Sequence, residues 1–387
     1  MTLVEKYENY RKILTGQFLA SGLGQGFSLP ADAIQPGSMH FGDSTLFLGW
    51  YIGVLATEYH LLTSGIINSP TLNVPGTLRE LSLALRALRR LSRAAAGCFP
   101  QPPASLPAGA KGFFIRDDVD DGFKTHFPGV TEIKSDYTAA SPFDKEESQD
   151  QLIHLLLGLS LVKKYIQPRT FQLVLLLIMA QDLALKISSW PAQTKWVIRN
   201  PYLGGMKVHR GPYARPFSYP ISAAVQKIHP RGADIQPSVR RLWRFLWKYV
   251  MRHGLGFFYN PTNLHLVSTL ASISDSWGPK SLKHIIRRSK KFDWPIYPML
   301  NVVLFADQAP NKLDYKPELL ARAEPMLDMA PENGLSQQGS PPGWKASHRF
   351  IFGRDEQDRG QDHYAGRDFS GLDFMLLHNL YQILRTL

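Results

Sequence analysis

Residues 46–63 read LFLGWYIGVLATEYHLLT, and this stretch decides the predicted fold class. Trp50 and Val54 recur at a spacing of four residues, which is close to the period of an α-helix. Gly65 follows where a helix commonly stops, because glycine readily adopts the left-handed backbone that ends helices. The pattern therefore predicts a helix over residues 46–63.

Ten further segments show helical spacing, and hardly any stretch alternates as a strand would, so the predicted fold class is all-α. Two sequence patterns predict capping boxes at helix starts, Thr77-x-x-Glu80 and Ser148-x-x-Gln151. The ten further predicted helices are Val4–Leu19, Leu78–Ala95, Gln151–Tyr165, Phe171–Ser188, Val239–Arg252, Asn263–Ser274, Lys280–Lys290, Ile296–Ala306, Pro317–Met326 and Gly371–Leu384.

Three long connections separate these helices: residues 99–147, 189–237 and 327–370. Loops of this length inside a compact domain usually carry function. Alternating short and long connections indicate stacked helical hairpins, and no internal repeat supports a regular solenoid. The helices keep the same character throughout, so we expect one domain over residues 1–387.

The composition is that of a folded, disulfide-free protein. Of 387 residues, 44% are hydrophobic and 20% are charged, which excludes disorder as the main state. The single cysteine, Cys98, excludes an intramolecular disulfide framework. No signal peptide is visible, so a cytoplasmic location stays open beside a periplasmic or secreted one after leader removal. Apolar windows at 152–162 and 171–187 contain polar residues and predict core helices rather than membrane spans.

The net charge of +12 is unevenly placed along the chain. Between Lys195 and Trp294 there are 18 basic and three acidic residues, a balance of +15. Between Arg116 and Asp150 there are ten acidic and four basic residues. This distribution predicts a charged cleft with an anionic partner, although two solvated surfaces would give the same pattern.

The layout resembles the six-hairpin (α/α) toroid of glycosidase-like proteins, in which helical hairpins form a ring and rim loops build the cleft. The residues behind the resemblance are Gly49-Trp50-Tyr51-Ile52-Gly53-Val54-Leu55, Gly112-Phe113-Phe114-Ile115-Arg116-Asp117-Asp118, Ser148-Gln149-Asp150-Gln151 and Asp368-Phe369-Ser370-Gly371-Leu372-Asp373. The resemblance covers most of the chain and implies carbohydrate chemistry, without pointing to a specific family.

Glycoside hydrolysis needs two carboxyl groups, one protonated and one ionised. Asp117 and Asp118 follow an apolar run, and Arg116 could hold one of them ionised. Asp150 is expected in the first turn of a helix, where the dipole favours the ionised form. We therefore predict that Asp117 or Asp118 pairs with Asp150 in catalysis. A salt-bridged loop and a helix-stabilising Asp would give the same pattern.

Asp43 precedes the first long helix, where it or Ser44 could simply be the N-cap. In the functional interpretation Asp43 faces the rim, and Trp50 or Tyr51 offers a flat face on which a sugar could stack. Aromatic residues in helices are otherwise common in protein cores.

The basic half contains a second group of candidates, His209, Arg210 and Tyr213. Arg210 could grip a carboxylate or sulfate with two hydrogen bonds. His209 with Tyr213 would also suit a polysaccharide lyase, in which a base removes the proton next to a uronate carboxyl group. A solvated basic loop is the alternative.

Further cleft candidates are His363, Tyr364 and Asp368, just before the last helix, and His154, one turn into an apolar helix. In a ring, the C-terminal hairpin would lie against the N-terminal one and face Asp43. A lone histidine in an apolar helix is otherwise a core residue.

The sequence therefore predicts a glycoside hydrolase acting on an anionic oligo- or polysaccharide. A lyase on the same scaffold is the first alternative. The second is a non-catalytic module that binds a polyanion or nucleic acid through the basic helices 239–252 and 280–291. No metal and no cofactor is expected, since the acidic spacing after Arg354 misses a calcium loop and no nucleotide-binding motif is present. The oligomeric state stays open.

Overall fold

The computed structural model describes residues 1–97, 112–134, 147–193, 199–200, 206–207, 214–229, 244–248, 261–276, 279–292, 294–336 and 368–387. Helices dominate this part of the chain. They are α1 (Leu3–Ile13), α2 (Ser44–Thr63), α3 (Val74–Gly97), α4 (Gln149–Tyr165), α5 (Phe171–Gln193), α6 (Ala214–Ile228), α7 (Pro261–Ser274), α8 (Pro279–Phe292), α9 (Ile296–Phe305), α10 (Lys316–Met329) and α11 (Leu372–Thr386). Shorter turns are a π-helical turn at Leu14–Phe18 and 3₁₀ turns at Asp121–His126 and Pro310–Tyr315.

A small sheet accompanies the helices, which the all-α prediction did not include. Its strands are β1 (Ala33–Gln35), β2 (Ser38–His40), β3 (Glu132–Lys134), β6 (Leu335–Ser336) and β7 (Asp368–Phe369), in the order β3-β2-β1-β7-β6. The β2–β3 pair is parallel and the other pairs are antiparallel. A separate two-stranded ladder joins β4 (Arg199–Asn200) to β5 (Met206–Lys207). Strands of two or three residues are too short to show an alternating pattern.

The predicted helices are present wherever the structure describes them, with ends that shift by up to about five residues. The predicted helix Val4–Leu19 is divided into α1 and the π-helical turn Leu14–Phe18. Most of the predicted helix Val239–Arg252 lies outside the described residues. Within it, residues 244–248 are described and are helical. Helix α6 is the clear error, because residues 189–237 were expected to be a loop. Pro220 lies inside this helix, and an interior proline normally argues against a helix.

Six helices follow one another in contact. Helix α2 packs on α4, α4 on α6, α6 on α7, α7 on α9, α9 on α11, and α11 packs back on α2. Most residues of α2, α4, α9 and α11 are buried, as expected for helices that are apolar on all sides. The remaining five described helices pack alongside, with α1 on α11, α3 on α2, α5 on α4, α8 on α9 and α10 on α11. The C-terminal helix thus lies against the N-terminal part, as predicted.

Helices α2 and α4 approach closely through two glycines. A Cβ atom on Gly49 would collide with the backbone of His154 and Leu155, and a Cβ on Gly158 would collide with the carbonyl group of Gly49. The sequence needs glycine at both positions because the two backbones leave no room for a side chain.

A buried polar cluster ties α1, α2 and α3 together; we call it the Arg11 cluster. Arg11 donates to Glu58 Oε2 and Glu80 Oε2, each at 2.8 Å. Glu58 also accepts from the Tyr7 hydroxyl at 2.7 Å and from Thr77 Oγ1 at 2.6 Å. Although burial works against its charge, the two carboxylates raise the pKa of Arg11, so it stays protonated.

Helix α11 joins the same cluster through Asn379. Its side-chain amide donates to the Tyr7 hydroxyl at 3.1 Å, to Thr57 Oγ1 at 3.1 Å and to the Val54 carbonyl at 3.3 Å. His378 stacks on Tyr7 with ring centroids 4.6 Å apart. Every hydrogen bond of Asn379 in this group connects α11 to the first third of the chain.

The two predicted capping boxes do not form. Helix α3 begins at Val74, so Thr77 lies inside its first turn, and the Asn73 side chain accepts from the Gly76 amide at 2.9 Å instead. Ser148 does occupy the N-cap of α4, yet its hydroxyl donates to Asp150 rather than capping a backbone amide. Thr77 and Glu80 are instead members of the Arg11 cluster.

Candidate functional site

The N-terminal ends of α2 and α4 meet the segment 112–118, and this junction holds most of the described candidate residues. The Gly42 carbonyl accepts from Gln151 Nε2 at 3.4 Å and from Arg116 Nη1 at 3.5 Å. The hydroxyls of Ser44 and Thr45 donate to the Arg116 carbonyl. Residues at and just before the start of α2 therefore hold Arg116 in place through hydrogen bonds to its backbone carbonyl and from its side chain.

Asp43 and Arg116 form the partly exposed edge of this junction. Arg116 Nη1 lies 4.0 Å from Asp43 Oδ1, and the two side chains are 23% and 35% exposed, in that order. Asp43 occupies the N-cap position of α2 without a side-chain capping bond. Both groups are placed where an incoming ligand could reach them.

Glu147 is the carboxyl group that sequence reasoning missed. It lies directly before the Ser148 N-cap of α4 and is fully buried. Burial raises the pKa of Glu147 well above its ordinary value, and the backbone amide of Phe114 offsets this only in part. A carboxyl group whose pKa is raised keeps its proton to higher pH than an exposed one, and a general acid needs that property.

Asp150 follows one turn later, in the first turn of α4 as predicted. Its Oδ1 accepts from the Ser148 hydroxyl and from the Gln151 amide at 3.1 Å. Hydrogen bonds to a carboxylate and a helix N-terminus both favour the ionised form. Glu147 and Asp150 thus present two carboxyl groups in contrasting environments at one helix start.

His154 lies in the core below Asp150. Its Nδ1 is 2.6 Å from the Asp150 carbonyl, and its ring stacks on Trp50 with centroids 6.0 Å apart. Burial lowers the pKa of His154 to about 4, which the neighbouring Asp150 only partly opposes. The side chain is therefore neutral near pH 7.

Asp118 is bound on both oxygens. Arg90 of α3 donates to Oδ2 and, at 3.0 Å, to Oδ1, and the Gly26 amide donates to Oδ1 at 3.0 Å. Asp117 is also fully buried and accepts from the Val119 amide at 3.0 Å. Arg90, which sequence reasoning did not consider, is therefore the bidentate partner of Asp118.

The two aromatic candidates lie inside the protein. Trp50 is 3% exposed, and Tyr51 is fully buried with its hydroxyl donating to Glu80. Neither ring presents a face to solvent in this structure.

The remaining candidates divide between described and undescribed parts of the chain. Asp368 is exposed on β7, where it pairs with Ile34 of β1. This pairing places the C-terminal candidate segment beside the N-terminal hairpin. His209, Arg210, Tyr213, His363 and Tyr364 lie outside the described residues. Among the described residues, no group of three or more His, Cys, Asp or Glu side chains is placed to hold a metal ion.

A second carboxyl group with a raised pKa, Asp373, lies in the first turn of α11. Its Oδ1 accepts from the Phe374 amide at 2.6 Å, and burial raises its pKa well above the ordinary value. The sequence alone does not distinguish Glu147 and Asp373 from exposed acidic residues, because their burial depends on contacts between distant segments.

No protein-family model, curated protein or solved structure matches this chain.

The burial of Glu147 has a measurable consequence for stability. Above its ordinary pKa of 4.5 the unfolded chain releases this proton while the folded chain keeps it, so stability falls as pH rises. The slope is about 1.4 kcal/mol per pH unit until the folded pKa is reached. We expect Glu147→Gln to remove this slope, so that the variant gains stability over wild type from pH 5 upward. Urea unfolding at several pH values measures the difference.

Asp314→Asn is the matched control, because Asp314 is exposed in the 3₁₀ turn Pro310–Tyr315. Its stability relative to wild type should not change with pH. Parallel pH profiles for Glu147→Gln and wild type would contradict a proton held by Glu147 in the folded state.

Proposed function

We propose that the chain is a carbohydrate-active enzyme that hydrolyses an anionic oligo- or polysaccharide at the N-terminal ends of α2 and α4. The observation that carries the proposal is the contrast between Glu147, buried with a raised pKa, and Asp150, hydrogen-bonded three residues later. Glycoside hydrolysis uses one carboxyl group of each kind.

In the proposed reaction, Glu147, which is covered in this structure, becomes accessible as the substrate binds. It then donates its proton to the glycosidic oxygen as the bond to the anomeric carbon breaks. Asp150, ionised, accepts a proton from the water whose oxygen bonds to that carbon. Arg116, at the edge of the junction, supplies positive charge for an acidic sugar. Asp118 takes a positioning role here, because Arg90 binds both of its oxygens.

The proposed scaffold is the six-hairpin (α/α) toroid. Its support is the contact sequence α2-α4-α6-α7-α9-α11, which returns to α2, with further helices packed alongside. The excess of 15 positive charges over residues 195–294 supports the choice of an anionic substrate.

The proposal is tested by incubating the protein with polysaccharides that carry uronate or sulfate groups and with neutral ones. Chromatography of the products detects hydrolysis, and ultraviolet absorbance detects unsaturated uronates. We expect hydrolysis of an anionic substrate and a loss of at least about a hundredfold in Glu147→Gln, the usual scale for removing a general acid. Asp314→Asn should keep full activity.

Two outcomes would overturn the hydrolase. Unsaturated products that persist in Glu147→Gln and Asp150→Asn would favour the lyase alternative, which depends on His209 and Tyr213. Retention on heparin or DNA without any product, unchanged by both substitutions, would favour a non-catalytic polyanion-binding module.

A further inference from the structure

A groove of about 670 Å³ runs between α3 and α5, away from the carboxyl groups discussed above. The wall formed by α3 is cationic, and the wall formed by α5 is mostly apolar. The main side chains of the walls are Arg86, Arg89 and Arg93 on α3 and Leu175, Ile178 and Met179 on α5.

The cationic wall is formed by three exposed arginines at spacings of three and four residues, which places them on one face of α3. Lys186 of α5 extends the positive charge. Burial, and then the proximity of Arg93 and Arg89, lowers the pKa of Lys186. Asp182 is the acidic residue in the lining, so an anion would meet a clear excess of positive charge.

The apolar wall continues along an exposed strip of α5. Phe171 is 78% exposed, and Leu175 and Ile178 are each 48% exposed. Their spacings of four and three residues place them on one face of the helix. Large apolar side chains grouped in this way on a surface indicate a site of interaction.

The opposite face of α5 packs against the rest of the protein. Ala180, Ala184 and Ile187 are fully buried, and the helix packs on α3, α4 and α6. By length and composition alone the stretch Phe171–Ser189 could span a bilayer, and 39% of it is buried. Because its inner face already packs on other helices, the helix is suited to lie at a membrane surface.

We propose that the groove and the exposed strip of α5 dock on a bilayer that contains anionic phospholipid. Lipid phosphates would pair with Arg86, Arg89 and Arg93, and acyl chains would contact the apolar side chains of α5. Charge complementarity selects this occupant over a second copy of the chain, since two such grooves would bring like charges together. The apolar strip selects it over a fully polar polyanion.

The test measures co-sedimentation of the whole protein with vesicles of phosphatidylcholine, alone or mixed with phosphatidylglycerol. We expect binding to the anionic vesicles that weakens as salt increases. Arg86→Gln/Arg89→Gln and Leu175→Ser/Ile178→Ser should each lower the partition coefficient at least about tenfold. Lys12→Gln/Lys283→Gln removes two exposed charges outside the groove and should bind as wild type.

Three outcomes would overturn the proposal: no binding to anionic vesicles, equal loss in the Lys12→Gln/Lys283→Gln control, or wild-type binding by Leu175→Ser/Ile178→Ser. Gel filtration adds a fourth, a dimer of the wild type that Leu175→Ser/Ile178→Ser abolishes, which would assign the strip to a second copy. Saturable binding of an acidic amphipathic peptide without vesicle binding would assign it to a protein partner. Glycan hydrolysis is measured separately and is independent of each result.

Discussion

Arg11→Met is expected to lower the free energy of unfolding by about 3–5 kcal/mol, the usual cost of removing one partner from a buried ion pair. Arg11 is the cation between the carboxylates of Glu58 and Glu80, at 2.8 Å from each. Without it, the fully buried Glu58 must either keep an uncompensated charge or take up a proton. Denaturant unfolding followed by circular dichroism measures the loss.

Lys12→Met is the control, because the neighbouring Lys12 is exposed on the same helix. It should change stability by no more than about 0.5 kcal/mol. The double variant Arg11→Met/Glu58→Gln should recover part of the loss, since it removes the buried anion. An Arg11→Met protein as stable as Lys12→Met would show that the Arg11 cluster does not depend on its cation.

Gly49→Ala is expected to cost about 2–4 kcal/mol, at and somewhat above the usual range for overpacking, because the added methyl group meets backbone rather than a movable side chain. The collision is with His154 and Leu155 of α4. Gly158→Ala, on the opposite helix, should cost a similar amount, since its methyl group meets the Gly49 carbonyl. Thermal unfolding of both variants gives the shift in Tm.

Gly16→Ala is the matched substitution at an open position, since no atom outside the adjoining backbone lies within 4 Å of the added methyl group. It should stabilise the protein by about 0.4–1 kcal/mol, because alanine restricts the unfolded chain more than glycine does. Equal Tm values for Gly49→Ala and Gly16→Ala would mean that the two helices can separate without cost.

The sequence predicted helices well where periodicity alone decides them. Helix α2 was expected from its spacing, and it is found at Ser44–Thr63. Helix α6 was missed, since residues 189–237 were expected to be a loop. It contains Pro220, a residue that is uncommon inside helices. Strands β1 and β7 were missed because each is short and depends on a partner far away in the chain.

The candidate site could be predicted only in part from the sequence, because some of its features are local and others depend on contacts between distant segments. The position of Asp150 in a first helical turn is a local property, and the prediction is confirmed. The pairing of Asp118 with Arg90 and the burial of Glu147 depend on which segments fold against each other. Thr77 and Glu80 also depend on distant contacts. They match a capping pattern in the sequence, but in the structure Thr77 contacts Glu58 and Glu80 contacts Arg11.

The bonds from Asn379 to the first third of the chain bear on how the protein is made. Tyr7 and Asn379 are 372 residues apart in the sequence. During synthesis α2 therefore emerges from the ribosome long before α11 is made and can cover it. Until then the apolar surface of α2 that α11 will bury is open to other chains. Contacts of such long sequence separation slow folding and expose nascent chains to aggregation. The refolding yield should therefore fall as the protein concentration rises. The growing chain is also expected to bind chaperones that recognise exposed apolar surface.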